Sequence, residues 1–201
     1  MKLSVLIPVY NQENLVIKAL DYLPRRDDME VLVRDDGSTD NTLERLMEYD
    51  KKGLNLKVYA NGENKGVSYT KNRLLEFASG EYFHIHDSDD HVHTERYSHI
   101  IDKLCDHDVV CMDLIVNSGD IWKVRPETER LYCAQIARFI RTEFAKGIEF
   151  PEGVQFGEDG QFNDELLERN PSTWFTEIPA YFYNYPRIGS LCHLHSQGAI
   201  Q

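Results

Sequence analysis

Cysteine is sparse and unpatterned. Cys105, Cys111, Cys133 and Cys192 are the four thiols in 201 residues, and no two stand in a CxxC spacing. They read as reduced, scattered thiols of a cytoplasmic protein, not as a disulfide framework. Basic residues are also in deficit: 22 Lys and Arg against 34 Asp and Glu leave a formal charge of -12. Lys and Arg supply most of the affinity for nucleic-acid phosphates, so this balance argues against a nucleic-acid partner. A local basic patch is still compatible with it, so a modified nucleobase stays open as an acceptor. No apolar run approaches the ~20 residues of a membrane helix. The stretch Met1 to Tyr10 is too short for a secretory h-region with a cleavage site and reads as a strand. No GxGxxG follows a strand, which removes the dinucleotide-dependent oxidoreductases. Internal repeats, linkers and low-complexity segments are absent, so the expectation is one domain over residues 1–201. A chain of that size buries about 70% of the surface its unfolded form exposes, enough to fold without disulfides or metal.

What is present is an alternation of strands and helices. Leu3 to Val9 is a continuous apolar run, the mark of a strand buried on both faces. Asn14 to Leu23 has helical spacing and stops at Pro24. Strands at Glu30 to Val33, Leu54 to Ala60 and Glu81 to His86 alternate with helices at Asn41 to Tyr49 and Val67 to Ala78, the latter closed by Gly80 as a C-cap candidate. This β-α repetition predicts an α/β fold with a parallel sheet and helices on both faces. Right-handed crossovers place all strand-to-helix loops on one edge, where open α/β sheets bind ligands. That rim would carry Tyr10-Asn11, Asp35-Asp36 and Asp87 to Asp90. The second half reads as a helix at Thr94 to Leu104, a strand at Val109 to Val116, a helix at Ala134 to Lys146, a short helix starting near Asp159, and a strand at Ile178 to Tyr185.

The acidic clusters carry the chemistry. Asp87-Ser88-Asp89-Asp90 puts three carboxylates at the end of a buried strand. Packed carboxylates repel one another and resist ionisation, and a divalent cation relieves that penalty. Hard oxygen ligands suit Mg²⁺ or Mn²⁺, which also bind diphosphate. An acidic turn that simply caps the next helix is the competing explanation.

Five segments, in order, resemble the GT-A fold (nucleotide-diphospho-sugar transferase fold) of glycosyltransferase family 2. They are LIPVYNQEN (Leu6 to Asn14), VRDDGSTDNT (Val33 to Thr42), the run from Asn64 to Asp90, GVQFGEDGQFN (Gly153 to Asn163) and YFYNYPRIGSLCH (Tyr181 to His193). The resemblance implies a mostly parallel central sheet, a nucleotide-binding half over 1–90 and an acceptor and catalytic half over 91–201. It implies a metal-dependent inverting glycosyltransferase that adds one sugar from a nucleotide-sugar donor to a saccharide or other hydroxyl-bearing acceptor.

Roles carry over residue by residue. Pro8 and Tyr10 would line the base pocket, and Asp36, with Asp35 as the near alternative, would accept the base N–H. An Asp acceptor suits the imide of uracil or thymine. Asp40 is better placed than either for capping the helix at Asn41. Asn64, Gly66 and Arg73 would help hold the nucleotide. Asp87 would contact the ribose or the metal, Asp89 would bind the metal, and His193, with His195 as rival, would complete its shell. Arg187 and Ser190 would close over the diphosphate. Asp159 would be the general base, and Glu158 is its confounder; on a helix the two should point about 100° apart.

The chain departs from the family at His84 and His86, which fall on one strand face where apolar residues are usual, and at His91 and His93 beyond them. A hydrogen-bonded core pair is favoured over a transition-metal site there. A nucleotide-sugar binding module without turnover is the alternative function, and the retained GED segment argues against it. A nucleotidyltransferase would show a Gly- and Lys/Arg-rich loop after the first strand, where this chain has VYNQEN.

Overall fold

The computed structural model describes residues 1–50, 53–128, 134–154 and 157–187. In chain order the elements are β1 (Leu3–Val9), α1 (Leu15–Tyr22), β2 (Met29–Asp35), α2 (Thr42–Glu48), β3 (Asn55–Ala60), α3 (Val67–Phe77) and β4 (Tyr82–Ile85). There follow β5 (His91–Val92), α4 (Thr94–Asp102), β6 (Val109–Val116), β7 (Ile121–Trp122), a 3₁₀ turn (Gln135–Ala137), β8 (Arg138–Arg141), α5 (Glu158–Glu168) and β9 (Thr173–Tyr183).

All nine strands join one sheet in the order β3-β2-β1-β4-β8-β6-β9-β5, with β7 beside β6. The first four are mutually parallel. Every residue of β1 is buried, as its unbroken apolar run requires of the central strand. Each fully buried Val, Leu or Ile there contributes ~1.5–3 kcal/mol. From β1 the chain steps outward through β2 to β3, then doubles back through α3 to place β4 on the other flank of β1. The direction reverses between β1 and β4, and that is the point where open α/β sheets hold ligands.

Beyond β4 the sheet is mixed. β8 runs antiparallel to both β4 and β6, while β9 lies parallel to β6. The expected helix over Ala134 to Lys146 is therefore corrected: after the 3₁₀ turn, Arg138 to Arg141 is a strand. The sheet has a slot between β4 and β6 that only an extended segment fills, and Phe139 and Ile140 are buried there against Val110, Phe83 and Val109. Helical spacing of four apolar residues gave way to that tertiary demand. The late strand also starts earlier than expected, at Thr173; Glu177 at φ 58 and the bulge opposite Cys111 to Leu114 interrupt its pattern.

Two glycines are required by close packing. A Cβ on Gly37, already at φ +71, would lie 2.5 Å from the Glu63 carbonyl carbon, so the 36–38 and 63–64 turns meet only through glycine. Gly80 is not the helix cap expected of it: α3 ends at Phe77 with Ala78 as its C-cap, and a Cβ on Gly80 would fall 2.5 Å from the Ser4 nitrogen. Its role is to let the chain pass close over β1 on its way into β4.

Glu30 ties three segments together from inside the sheet. Its fully buried carboxylate accepts from Ser4 Oγ (2.7 Å), Lys57 Nζ (2.9 Å), and Ser79 N and Oγ (2.8 and 2.7 Å). Burial alone would raise its pKa, but Lys57, Ser4 and Ser79 outweigh it and bring it down from 4.5 to about 2. A carboxylate depressed on folding stabilises the protein above its unfolded value and loses that contribution as pH falls toward its folded value. We expect Glu30→Gln to cost about 2–3 kcal/mol at pH 7 and about half that at pH 3. Urea midpoints at the two pH values check this; an equal gap at both would count against it.

Candidate active site

The rim above the reversal is assembled by cross-bracing between loops. Asn11 Oδ1 accepts from Thr39 N (2.8 Å), and Ser38 Oγ accepts from Asn11 N (2.9 Å), joining the ends of β1 and β2. Asp40 takes the Thr42 N–H at the start of α2 (3.0 Å), the capping duty expected of it. Tyr10 stands 42% exposed on this rim, while Pro8 is buried within β1 beneath it.

Asp35 and Asp36 have different duties. Asp36 is 4% exposed and accepts from Asn61 Nδ2 (2.7 Å), Lys65 N (2.9 Å) and Gly66 N (2.9 Å). It is committed to shaping the loop that carries Asn64 and Gly66. Asp35 Oδ2 accepts from Ser38 N (3.0 Å), but its Oδ1 is buried without a hydrogen-bond partner. Arg73 is engaged on its own helix. It pairs with Glu76 (2.8 Å) one turn along its own helix and lies over the Tyr69 ring.

Lys71, two residues earlier, is a buried charge at the site that motif reading missed. It is 3% exposed, and its ammonium meets Glu158 Oε1 at 2.7 Å and Asp159 Oδ1 at 2.8 Å. Burial alone would depress the ammonium, but Asp159, then Glu158 and Asp87, outweigh it and hold its pKa above the usual lysine value. The signal was in the sequence: Lys71 shares a stripe with Val67 and Leu74, where an amphipathic helix presents apolar residues. Glu158 and Asp159 do not point apart as adjacent helical residues were expected to. Both reach the one ammonium, yet their exposure differs: the Glu158 side chain is 11% exposed and that of Asp159 38%.

Asp87 joins the same group. Burial pushes its carboxyl well above the usual range, Lys71 opposes this, and Asp89, Asp159 and Glu158 add to it. The nucleotide-half carboxylates and those of α5 thus share one electrostatic environment, though their sequence separation is about 70 residues. Asp89 Oδ2 pairs with Arg187 Nε (2.5 Å). Asp90 is buried, accepts from Asn184 N (2.8 Å) and anchors the end of β9; burial with Asp87 and Asp89 nearby raises its pKa. Beside Asp89 opens a hollow of about 320 Å³, lined in part by Lys18, His91, Asn117 and Phe182.

The histidines form part of the core. His84 Nε2 donates to the Ile136 carbonyl (2.9 Å) and Nδ1 meets the Tyr97 hydroxyl (2.5 Å), so neither nitrogen is left for a metal. His86, its ring 5.7 Å away on the same face, donates from Nδ1 to the Asp87 carbonyl (2.8 Å). Burial brings the pair down to about 3 and about 4, so both are neutral. His91 stacks on Phe182 at 4.6 Å. His193, His195 and Ser190 lie outside the described residues.

Among the described residues no three His, Cys, Asp or Glu side chains form a ready metal cage. Asp87 and Asp89 nevertheless fit a hard divalent cation. They offer oxygen donors in a cluster whose negative charge exceeds that of Lys71 and Arg187, and Mg²⁺-type sites take the rest of their shell from phosphate and water.

A switch-point sheet with an Asp-rich strand end and an acidic helix start opposite it defines a nucleotide-sugar transferase architecture of the GT-A type. Residues 4–168 match the family described as Glycosyl transferase family 2, and the chain belongs to that family. It is 39% identical over 100 residues to a poly(ribitol-phosphate) beta-glucosyltransferase of Bacillus spizizenii, covering 47% of this chain and 16% of that protein. It is 40% identical over 100 residues to the poly(ribitol-phosphate) beta-N-acetylglucosaminyltransferase TarS of Staphylococcus aureus, covering 47% of this chain and 17% of that protein. The crystal structure of S. aureus TarS 1–349 with UDP-GlcNAc superimposes with a TM-score of 0.81 at 27% identity, over 96% of this chain and 61% of that one. The chain therefore spans a minor part of those full-length relatives. No helix among the described residues is long and apolar enough to cross a membrane.

Proposed function

We propose that this domain is a metal-assisted inverting glycosyltransferase that moves one sugar from a UDP- or dTDP-linked donor to a hydroxyl acceptor. The observation that carries this reading is the convergence of Asp87 and Asp89 with Asp159 at the sheet's switch point, around Lys71. The GT-A fold and the UDP-GlcNAc bound by TarS support it.

Tyr10 would pack against the base. The base N–H would go to Asp35, whose Oδ1 is uncommitted, because Asp36 is spent on the 61–66 loop. Asp87 and Asp89 would hold Mn²⁺ or Mg²⁺, with His193 as a further ligand. Bound there, the cation offsets the charge of the departing diphosphate. As the acceptor oxygen bonds to the anomeric carbon, the bond from that carbon to the diphosphate oxygen breaks. Asp159 takes the hydroxyl proton, and UDP leaves with the bonding electron pair. Glu158 is too buried for that task, whereas Asp159 is accessible.

The test is donor selection. Calorimetry in Mn²⁺ should show UDP or dTDP binding more tightly than GDP, and slow hydrolysis across a panel of UDP-, dTDP-, GDP- and CMP-sugars should name the sugar. Binding of GDP with no measurable affinity for UDP or dTDP would overturn the donor assignment.

A further inference from the structure

Lys71 has no role in the reading above, yet its placement is among the most constrained in the molecule. The next residue, Asn72, grips the Phe150 backbone from both sides: Nδ2 donates to the Phe150 carbonyl (2.9 Å) and Oδ1 accepts from Phe150 N (2.8 Å). Phe150 in turn stacks on Phe162 of α5 at 4.3 Å, and the Lys71 ammonium lies 4.9 Å from the centre of the Phe150 ring. Lys71 and Asn72 therefore form the joint that ties Phe150 and the start of α5 to α3. The ammonium has three donors. Two reach Glu158 and Asp159, and the negative face of an aromatic ring lies against the same head. A buried ammonium costs several kcal/mol unless it is paired, so this lysine persists there only because of the carboxylates it serves.

We propose that Lys71 is the positioning residue of the catalytic carboxylate. It pins Asp159 Oδ1, leaves Oδ2 of that partly exposed side chain to meet the acceptor hydroxyl, and holds Glu158 back from the substrate. Among the described residues, the charged groups near Asp159 include Lys71 on α3, Glu158 on its own helix and Asp87 from the turn after β4. Lys71 is the cation that pairs with it. The inference rests on the assignment of Asp159 as the base, and the experiment separates the two.

The probe is hydrolysis of UDP-glucose and UDP-N-acetylglucosamine in Mn²⁺, with water as acceptor, followed as UDP release. In Lys71→Met we expect the maximal rate to fall by ~10–100-fold, with UDP affinity changed by less than about threefold. Lys71→Arg, which keeps the charge, should restore most of that rate. It keeps the inference testable if Lys71→Met fails to fold. A maximal rate kept in folded Lys71→Met, or one that Lys71→Arg does not restore, overturns the proposal. So does a loss of UDP affinity parallel to the loss of rate, which would make Lys71 a phosphate ligand. If Asp159→Asn keeps its turnover, the base assignment itself fails, whatever Lys71 does.

Discussion

Asp159→Asn should bind UDP in Mn²⁺ with nearly unchanged affinity and transfer almost no sugar. The amide is close in shape and can still contact Lys71 through its oxygen, but it cannot take a proton from the acceptor. Loss of general-base catalysis costs ~10²–10⁴-fold in rate. In the proposed function the donor is held by the loops after β1, β2 and β4 and by the start of α3, so the ground-state complex should survive. Glu158→Gln is the comparison. It sits one residue away on the same ammonium but is buried, so its rate at the pH optimum should fall far less. Equal losses in the two variants, or a larger loss in Glu158→Gln, would move the base to Glu158. The anomeric configuration of the product, read by NMR, is an independent check. Retention of the donor's configuration would rule out direct in-line attack by an acceptor activated at Asp159.

The nucleotide-binding half was legible because its signals are local. A run apolar but for Ser4 makes β1, and the polar residues that form the rim stand directly at the ends of β1, β2 and β4. Crossover handedness then puts the three polar clusters on one rim. The second half resisted because its strands are inserted out of order. β8 enters between β4 and β6, and nothing near Phe139 or Ile140 announces that slot. Two apolar residues in a row suit a strand buried on both faces as well as they suit a helix.

The site was legible to the level of residue type, and less so to the level of neighbour. Asp35 and Asp36 are adjacent and identical in kind, and only the position of the 61–66 loop separates the committed carboxylate from the uncommitted one. Arg73 drew a nucleotide-holding role from its place in the resemblance, and the structure adds a neighbour that the motif does not announce, Glu76 one turn along α3. Lys71 escaped notice because its partners lie 87 and 88 positions away. A lysine on an apolar stripe is the trace such a residue leaves in sequence, and it points to a distant acid.

Asp89→Ala should abolish the Mn²⁺-dependent part of UDP binding while the protein stays folded. The Asp89 side chain is 18% exposed and its described ion pair is with Arg187, so the substitution removes no core packing. The other carboxylates of the turn have structural neighbours: Asp90 fastens β9 through Asn184, and the Asp87 N–H is held by the Tyr181 hydroxyl at 3.1 Å. Asp89 is the member whose carboxylate can be withdrawn at least structural cost. Mutating partners one shell out from a metal typically costs 10–100-fold in affinity, so loss of a direct ligand should cost at least ~100-fold. The informative quantity is a difference. UDP affinity measured in EDTA should be the same for both proteins, and only the gain on adding Mn²⁺ should disappear from the variant. A full Mn²⁺ gain in Asp89→Ala would remove Asp89 from the metal site. An equal fall with and without Mn²⁺ would instead assign it to direct recognition of the nucleotide.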